Sequence, residues 1–212
     1  MPRLPIKIAI AAGLAIGLVF ATGCCKSGSD SQSGAASAKD GKKKSIPTEK
    51  QAHPVPDEWT ELVDDVKGFS FSVPKGTKDH QESKNGVNIY VAEVPKPHEV
   101  QVMAVSFKDA KKTKSDLIKD SLKIIESVGN KDIVAGEPQE LNDDYSLTDV
   151  TCADSANGVK WRIRVLVAVD VTDNYLLLVG APESEFKQSE ETIDTIWGSF
   201  DMRSGGASGT SR

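Results

Sequence analysis

The chain has 212 residues, of which 38% are hydrophobic, 27% charged and 6% aromatic, and its formal net charge is -5. This composition excludes a polytopic membrane protein and a collagen-like repeat, and three cysteines are too few for a disulfide-dense miniprotein. The length suits one domain or two small ones.

Residues 1–23 are predicted to be a targeting segment and are set aside from the fold. Arg3 and Lys7 give the segment a positively charged start, and the thirteen residues 8–20 that follow carry no charge. This stretch matches the apolar core of a signal peptide, but it is too short to cross a bilayer of about 30 Å as a helix. We therefore expect a cleaved signal peptide and no transmembrane anchor.

Small residues then lead directly into a cysteine, in the order Ala21-Thr22-Gly23-Cys24. The arrangement resembles the lipobox of bacterial lipoproteins, in which the cysteine is acylated and becomes the new N-terminus, although Ala21 stands where the usual lipobox has Leu. The resemblance implies lipidation of Cys24 with palmitate-like chains, which anchor a protein firmly because each buried CH₂ contributes about 0.8 kcal/mol. The alternative is an ordinary secretory signal that leaves Cys24 as a free thiol.

The residue after Cys24 bears on which membrane would hold the anchor. In enterobacteria, Asp directly after the lipidated cysteine favours retention in the inner membrane. Cys25 occupies this position, so the resemblance favours the periplasmic side of the outer membrane.

Residues 24–56 are predicted to be the lipidated N-terminus and a disordered linker. From residue 26 onward the segment is mainly Ser, Gly, Ala, Lys and Pro, which cannot bury enough apolar surface to offset the chain entropy. Its 31 residues would reach roughly 30 Å. Lys42-Lys43-Lys44 could contact anionic headgroups, but a solvated charge run is the more common role of such a triplet.

The charge is divided unevenly along the rest of the chain. Residues 26–56 carry +3, and residues 57–212 carry -10. An acidic domain repels phosphate backbones, so nucleic acid is not expected as a partner.

Residues 57–203 are predicted to form one domain, followed by a disordered Gly- and Ser-rich tail at residues 204–212. Alternation of apolar and polar residues predicts early strands at 69–73, 87–94 and 100–107. Asn85-Gly86 is a turn signal that could close a hairpin between the second of these and an earlier strand.

The clearest strand lies nearer the C-terminus. One face carries Trp161, Ile163, Val165, Val167, Val169 and Val171, and the other carries Arg162, Arg164 and Asp170. Turn signals at Asn157-Gly158 and at residues 172–174 connect this strand to extended segments on both sides, residues 145–154 and 175–179. Three consecutive antiparallel strands are therefore expected.

Two helices are predicted from apolar residues at helical spacing. The first begins after Thr113, which forms a near capping box with Asp116, and ends at Gly129. Its apolar residues are Leu117, Ile118, Leu122, Ile125 and Val128. The second covers about residues 183–197, starts with acidic residues as the helix dipole prefers, and carries the stripe Phe186, Ile193, Ile196 and Trp197.

This order of elements predicts an α+β sandwich, in which helices pack on the faces of a central antiparallel sheet. Together with FSFSVPKG at residues 69–76 and the close YLLLVGAPESEF…IDTIWGSF at residues 175–200, it resembles the PsbP-like fold. Members of that fold include a photosystem subunit and bacterial envelope lipoproteins of DcrB type, which mostly act as binding or assembly subunits. The resemblance implies the fold and a non-catalytic role.

No catalytic signature occurs in the sequence, which lacks Gly-x-Ser-x-Gly, His-Glu-x-x-His, Cys-x-x-Cys and a phosphate-binding glycine loop. His53, His80 and His98 are scattered and lack the spacing of metal ligands. We therefore expect no metal, no cofactor and no enzymatic activity.

Three weaker candidates remain, each with a more ordinary alternative. Asp143-Asp144, Asp170 and Asp173 could offer oxygens to Ca²⁺, but residues of this type more often form turns. Cys152 could be a nucleophile or a disulfide partner of Cys25, but a single thiol on a strand is more often a small buried hydrophobe.

Arg162 and Arg164 are the third candidate, since two guanidinium groups on one strand face could clamp a carboxylate or phosphate. Ion pairing with acidic neighbours on adjacent strands is the favoured alternative. Trp59, Trp161 and Trp197 are expected in the core or at its edge.

These observations predict a membrane-anchored bacterial envelope lipoprotein whose domain binds an envelope protein or component without catalysis. The alternative is a carrier or sensor of a small ligand or metal that uses Arg162 and Arg164 or the acidic turns. A hydrolase using Cys152 is the least favoured interpretation.

Overall fold

The computed structural model describes residues 44–45, 54–64, 68–84, 87–97, 99–108, 111–171 and 173–202. The predicted targeting segment, Cys24 and the predicted tail lie outside these residues, as does most of the predicted linker.

Strands dominate the described part of the chain. They are β1 (Lys44–Ser45), β2 (Thr60–Asp64), β3 (Phe69–Val73), β4 (Lys78–Lys84), β5 (Val87–Glu93), β6 (Gln101–Lys108), β7 (Asn130–Ala135), β8 (Gln139–Glu140), β9 (Tyr145–Asp154), β10 (Lys160–Val169), β11 (Asp173–Pro182) and β12 (Asp201–Met202). The helices are α1 (Lys114–Ser127) and α2 (Glu183–Gly198). Both lie where helical spacing predicted them.

The strands form two antiparallel sheets. The larger sheet has the order β4-β5-β6-β11-β10-β9-β7, with β8 also paired to β9, and the smaller has the order β1-β12-β3-β2. One edge strand of the smaller sheet, Lys44–Ser45, belongs to the segment predicted as linker and pairs with Asp201–Met202.

Two hydrophobic clusters lie on opposite faces of the larger sheet. One is shared with α2 and the smaller sheet, and its largest fully buried members include Phe71, Tyr145, Tyr175 and Phe200. The other lies under α1 and includes Leu117, Ile125, Val165 and Leu176. The predicted α+β sandwich, with helices on the faces of an antiparallel sheet, is confirmed.

Local sequence explains how these elements begin and turn. The Thr113 Oγ1 accepts a hydrogen bond from the Asp116 N–H, and the Asp116 Oδ2 accepts one from the Thr113 N–H, each at 3.2 Å. This completes the capping box at the start of α1. Gly158, with φ of 72°, turns the chain between β9 and β10 as the Asn-Gly signal predicted.

The apolar face predicted for β10 includes one residue too many. Val171 was placed on the apolar face, but the strand ends at Val169 and Val171 is 86% exposed. The reason is a tight turn, in which the Asp170 N–H donates to the Asp173 carbonyl at 2.8 Å and draws the chain back into β11. Of the two helices in the described residues, neither has both the length and the hydrophobicity that a membrane span requires.

Candidate functional site

Arg162 and Arg164 lie on the face of β10 that packs against α2, and both are ion-paired. Asp149 on β9 accepts from the Arg162 Nη2 at 2.5 Å and from the Arg164 Nε at 3.4 Å. Arg164 also pairs with two carboxylates of α2: its Nη2 lies 3.1 Å from the Glu190 Oε1, and its Nη1 contacts Asp194. The arginines therefore connect two strands and a helix.

Aromatic side chains complete this cluster. The Phe186 ring of α2 lies beneath both guanidinium groups, with its centroid 4.6 Å from the Arg162 Cζ and 5.6 Å from the Arg164 Cζ. The Trp197 Nε1 donates to the Asp194 Oδ1 at 3.0 Å, which holds that carboxylate toward Arg164. The hydrogen bond that Arg162 donates to Asp149 raises the pKa of Arg162, so this guanidinium stays charged.

These contacts bear on the predicted anion contact. Three carboxylates face two guanidinium groups, so an incoming anion would have to displace an internal partner and would meet net negative charge. The geometry matches the ion-pairing alternative, with Asp149 on the adjacent strand as expected. The two partners on α2 were not anticipated, because only the fold brings that helix face to β10.

Cys152 lies on the opposite face of the larger sheet, in the cluster under α1. Its side chain is 4% exposed, and it is a free cysteine in the described part of the chain. Burial, aided by the nearby Asp154 charge, raises the pKa of the Cys152 thiol to about 11. A thiol that stays protonated at neutral pH is a poor nucleophile, so this geometry favours the small buried hydrophobe.

The histidines and acidic turns do not converge. His80 is exposed on β4, whereas His53 and His98 lie outside the described residues. Where the structure describes the chain, no three His, Cys, Asp or Glu side chains are grouped so that they could hold a metal ion. The turn before β9 is instead closed by Asn142, whose Oδ1 accepts from the Asp144 N–H at 2.9 Å and the Tyr145 N–H at 2.8 Å.

A cleft that the sequence did not predict lies between the outer strands β2 and β4 of the two sheets. This edge cleft has a volume of about 80 Å³ and is lined by Leu62, Val63, Asp64, Phe69, Asp79, Gln81 and Tyr90. The Tyr90 side chain is 4% exposed, and its Oη lies beside the Asp79 carboxylate without a hydrogen bond of regular geometry. Burial raises the pKa of Tyr90, and the nearby Asp79 carboxylate raises it further.

Comparison with solved structures finds the same architecture in the solution structure of cyanobacterial PsbP (CyanoP) from Synechocystis sp. PCC 6803. The two chains are 15% identical, with a TM-score of 0.52, and the match covers 70% of this chain and 94% of that one. The domain has a PsbP-like fold. At this sequence identity, the likeness concerns the fold of the PsbP-like domain alone.

Two other solved structures resemble the PsbP-like domain less closely. The Ran-binding protein Mog1p of Saccharomyces cerevisiae is 12% identical, with a TM-score of 0.49 over 67% of this chain and 94% of its own. LpqN, involved in cell envelope biogenesis of Mycobacterium tuberculosis, is 12% identical, with a TM-score of 0.37 over 70% of this chain and 81% of its own. No protein-family model matches the chain, and no curated protein matches it either.

Proposed function

We propose that this chain is a bacterial envelope lipoprotein, acylated at Cys24, whose PsbP-like domain binds an envelope protein or component without catalysing a reaction. The observation that carries the proposal is the order of segments in the sequence. An uncharged stretch at residues 8–20 leads through Ala21-Thr22-Gly23 into Cys24, and a polar segment then leads to a folded domain. In a lipoprotein these segments serve, in this order, export, acylation, tethering and binding.

The non-catalytic part of the proposal is supported by the contacts of the candidate reactive groups. Arg162 and Arg164 are held by carboxylates of their own domain, and the Cys152 thiol is buried with a raised pKa. These side chains link the sheet to its two covering layers, so we assign them to the stability of the domain.

Acylation is tested by growing bacteria that express the full chain with radiolabelled palmitate. The wild type and Cys25→Ala should be labelled and recovered with membranes, whereas Cys24→Ala should be unlabelled. Cys25→Ala is the matched control because it removes a neighbouring thiol and leaves the lipobox intact. Equal labelling of Cys24→Ala, or an unlabelled wild type in the soluble fraction, would contradict the anchor.

The binding role is tested by crosslinking in intact membranes followed by mass spectrometry. The full chain should yield one recurrent envelope partner, and Cys24→Ala should lose it because the unanchored domain no longer stays at the membrane. A substrate turned over by the purified chain, and abolished by Cys152→Ala, would instead make the protein an enzyme. A metal or small molecule that copurifies in stoichiometric amount would favour a carrier.

A further inference from the structure

Three carboxylates lie near one end of the larger sheet, close to Tyr145. The Val169 N–H donates to the Asp144 carbonyl at 2.9 Å, which places Asp144 beside Asp170, the residue after Val169. The Met202 N–H donates to the Tyr145 Oη at 3.4 Å, so the short strand β12 reaches the same end. The name acidic end is used below for the three residues Asp144, Asp170 and Asp201.

The acidic end raises the local negative potential. Burial raises the pKa of Tyr145, and the three charges of the acidic end raise it further. Lys114 of α1 approaches the turn before β9, but its Nζ binds the Asn142 carbonyl at 2.8 Å and the Glu140 carboxylate. Because like charges repel each other, a cationic segment that reaches the acidic end is attracted to it.

The tether brings such a segment to this place. In the smaller sheet Lys44 pairs with Met202, and Ser45 pairs with Asp201. Lys44 is the last residue of the lysine run, residues 42–44, whose first two residues lie outside the described part of the chain. Their Cα atoms can be no more than about 7.6 Å from that of Lys44. The lysine run therefore ends on β1, directly beside the strand that carries Asp201.

The charges of the predicted linker also distinguish this run. Besides the run, residues 26–56 contain three lysines and three acidic residues, whose charges cancel. The net charge of +3 on residues 26–56 therefore equals that of the lysine run, and the acidic end has three negative charges. Since the pairing of β1 already holds one lysine in place, docking the other two costs little further chain entropy.

We propose that the lysine run docks on the acidic end and thereby holds β1 in the smaller sheet. The inference goes beyond the proposed function, because it concerns how the tether joins the domain and does not require acylation of Cys24. All three carboxylates of the acidic end are partly exposed, so salt screens their attraction to the lysines. The tether is held at low ionic strength and released as the ionic strength rises.

Zero-length crosslinking with a carbodiimide tests the contact in the full chain purified from bacterial membranes. The reagent joins a lysine amine to a carboxylate, with loss of water, only when the two groups touch, and mass spectrometry identifies the pairs. At low salt the lysine run should crosslink to the acidic end, and high salt should abolish these products. Lys26, Lys39 and Lys50 are matched controls in the same segment, and they should give no such product.

Hydrogen exchange gives a second measure, which does not depend on the reagent. The triple variant Lys42→Gln, Lys43→Gln and Lys44→Gln should exchange the amides of residues 44–45 and 201–202 about threefold faster or more, because the ion pairs that favour paired β1 are lost. The matched triple variant removes the same charge from the same segment and should leave the exchange unchanged. Its substitutions are Lys26→Gln, Lys39→Gln and Lys50→Gln. Both sets lie outside residues 57–203, so the domain core is left intact.

The proposal fails if the lysine run crosslinks only to other carboxylates, if Lys39 and Lys50 crosslink to the acidic end equally well, or if the two triple variants exchange alike. Anionic headgroups are the competing occupant of the run. Phosphatidylglycerol vesicles that abolish the crosslinks at low salt would assign the run to the membrane and overturn the docking. Palmitate labelling does not depend on the lysine run, so a failure here is distinguishable from a failure of the proposed function.

Discussion

Two arginines on one strand face differ in how much their ion pairs contribute, because they differ in exposure. The Arg164 side chain is 14% exposed and its partner Asp194 is 13% exposed, whereas the Arg162 side chain is 40% exposed. Removing one member of a buried pair leaves an uncompensated charge, which is costly. An exposed pair is screened by water and contributes little.

We expect Arg164→Leu to lower the free energy of unfolding by about 3 kcal/mol, and Arg162→Leu by about 1 kcal/mol or less. Urea unfolding followed by circular dichroism measures both. The further change Asp194→Asn in the Arg164→Leu protein should restore part of the loss, since it removes the stranded charge. Equal losses in the two single variants would show that the pairs do not differ in this way.

Cys152 makes the stability of the domain depend on pH in the alkaline range. The pKa of its thiol rises from about 9 in an exposed chain to about 11 in the fold. Between these values the unfolded chain releases the proton and the folded chain keeps it, so unfolding becomes easier as pH rises. The contribution of Cys152 is therefore complete below pH 9 and is lost toward pH 11.

The measurement is the free energy of unfolding from pH 8 to 11 for the wild type and Cys152→Ala. The two curves should converge as pH rises, because only the wild type carries the buried thiol. Comparing the two proteins cancels the buried tyrosines Tyr90, Tyr145 and Tyr175, whose pKa values burial also raises. Parallel curves across this range would contradict the assignment.

Elements with an apolar pattern could be predicted from the sequence, and edge elements could not. Helices α1 and α2 and the interior strand β10 bury apolar side chains at regular spacing, so their positions follow from periodicity. Strand β4 has the sequence KDHQESK and no such pattern. It is held by backbone pairing with β5 at the margin of the sheet, which periodicity does not detect.

The candidate sites could also be predicted only in part from the sequence. Arg162 and Arg164 were identified on one face of β10, but their partners on α2 are distant in sequence and required the fold. The edge cleft was missed because half of its polar lining, Asp79 and Gln81, lies on the patternless strand β4. Tyr90 does alternate with apolar neighbours, but alternation alone could not show that its hydroxyl would lie beside Asp79.

Two buried threonine hydroxyls, one facing α1 and one on α2, differ in whether they are hydrogen-bonded. Thr148 on β9 faces the α1 layer, and its Oγ1 has no partner in the described part of the chain. Thr195 on α2 is equally buried, but its Oγ1 donates to the Glu191 carbonyl at 2.8 Å. The same substitution should therefore have opposite effects at the two positions.

We expect Thr148→Val to raise the free energy of unfolding by about 1 kcal/mol, since it replaces an unsatisfied hydroxyl with a methyl group of the same shape. Thr195→Val should lower it by about 1 kcal/mol because a hydrogen bond is lost. Thermal and urea unfolding of the two variants check both signs. A loss of stability in Thr148→Val would show that its hydroxyl is satisfied.

At the scale of the whole molecule, two distant segments of the chain meet in the smaller sheet. Strand β12 lies between β1 and β3, and the Met202 N–H donates to the Tyr145 Oη at 3.4 Å. Because Lys44–Ser45 pair with this strand, a chain anchored at Cys24 would have only the 19 residues 25–43 between anchor and domain. A flexible linker of that length spans roughly 24 Å, whereas one of 31 residues spans roughly 30 Å, so the pairing of β1 shortens the distance expected between the anchor and the domain.

The short strand after α2 closes the core of the whole domain. Phe200 is 1% exposed and Met202 is fully buried, and both pack in the cluster shared by α2 and the two sheets. Truncating a buried Phe or Met side chain costs about 2 to 5 kcal/mol. Losing both would therefore remove most of the roughly 5 to 15 kcal/mol by which a domain is stable.

Two truncated chains test whether β12 is needed to complete the core. A chain that ends after Ser199 should be unfolded or should melt far below the wild type in circular dichroism, because it lacks Phe200 and Met202. A chain that ends after Arg203 keeps β12 and should match the wild-type free energy of unfolding within about 0.5 kcal/mol. If the shorter chain melted with the wild type, the core would be closed without β12. If the longer one were destabilised, residues 204–212 would belong to the fold, and the boundary predicted at residue 203 would be wrong.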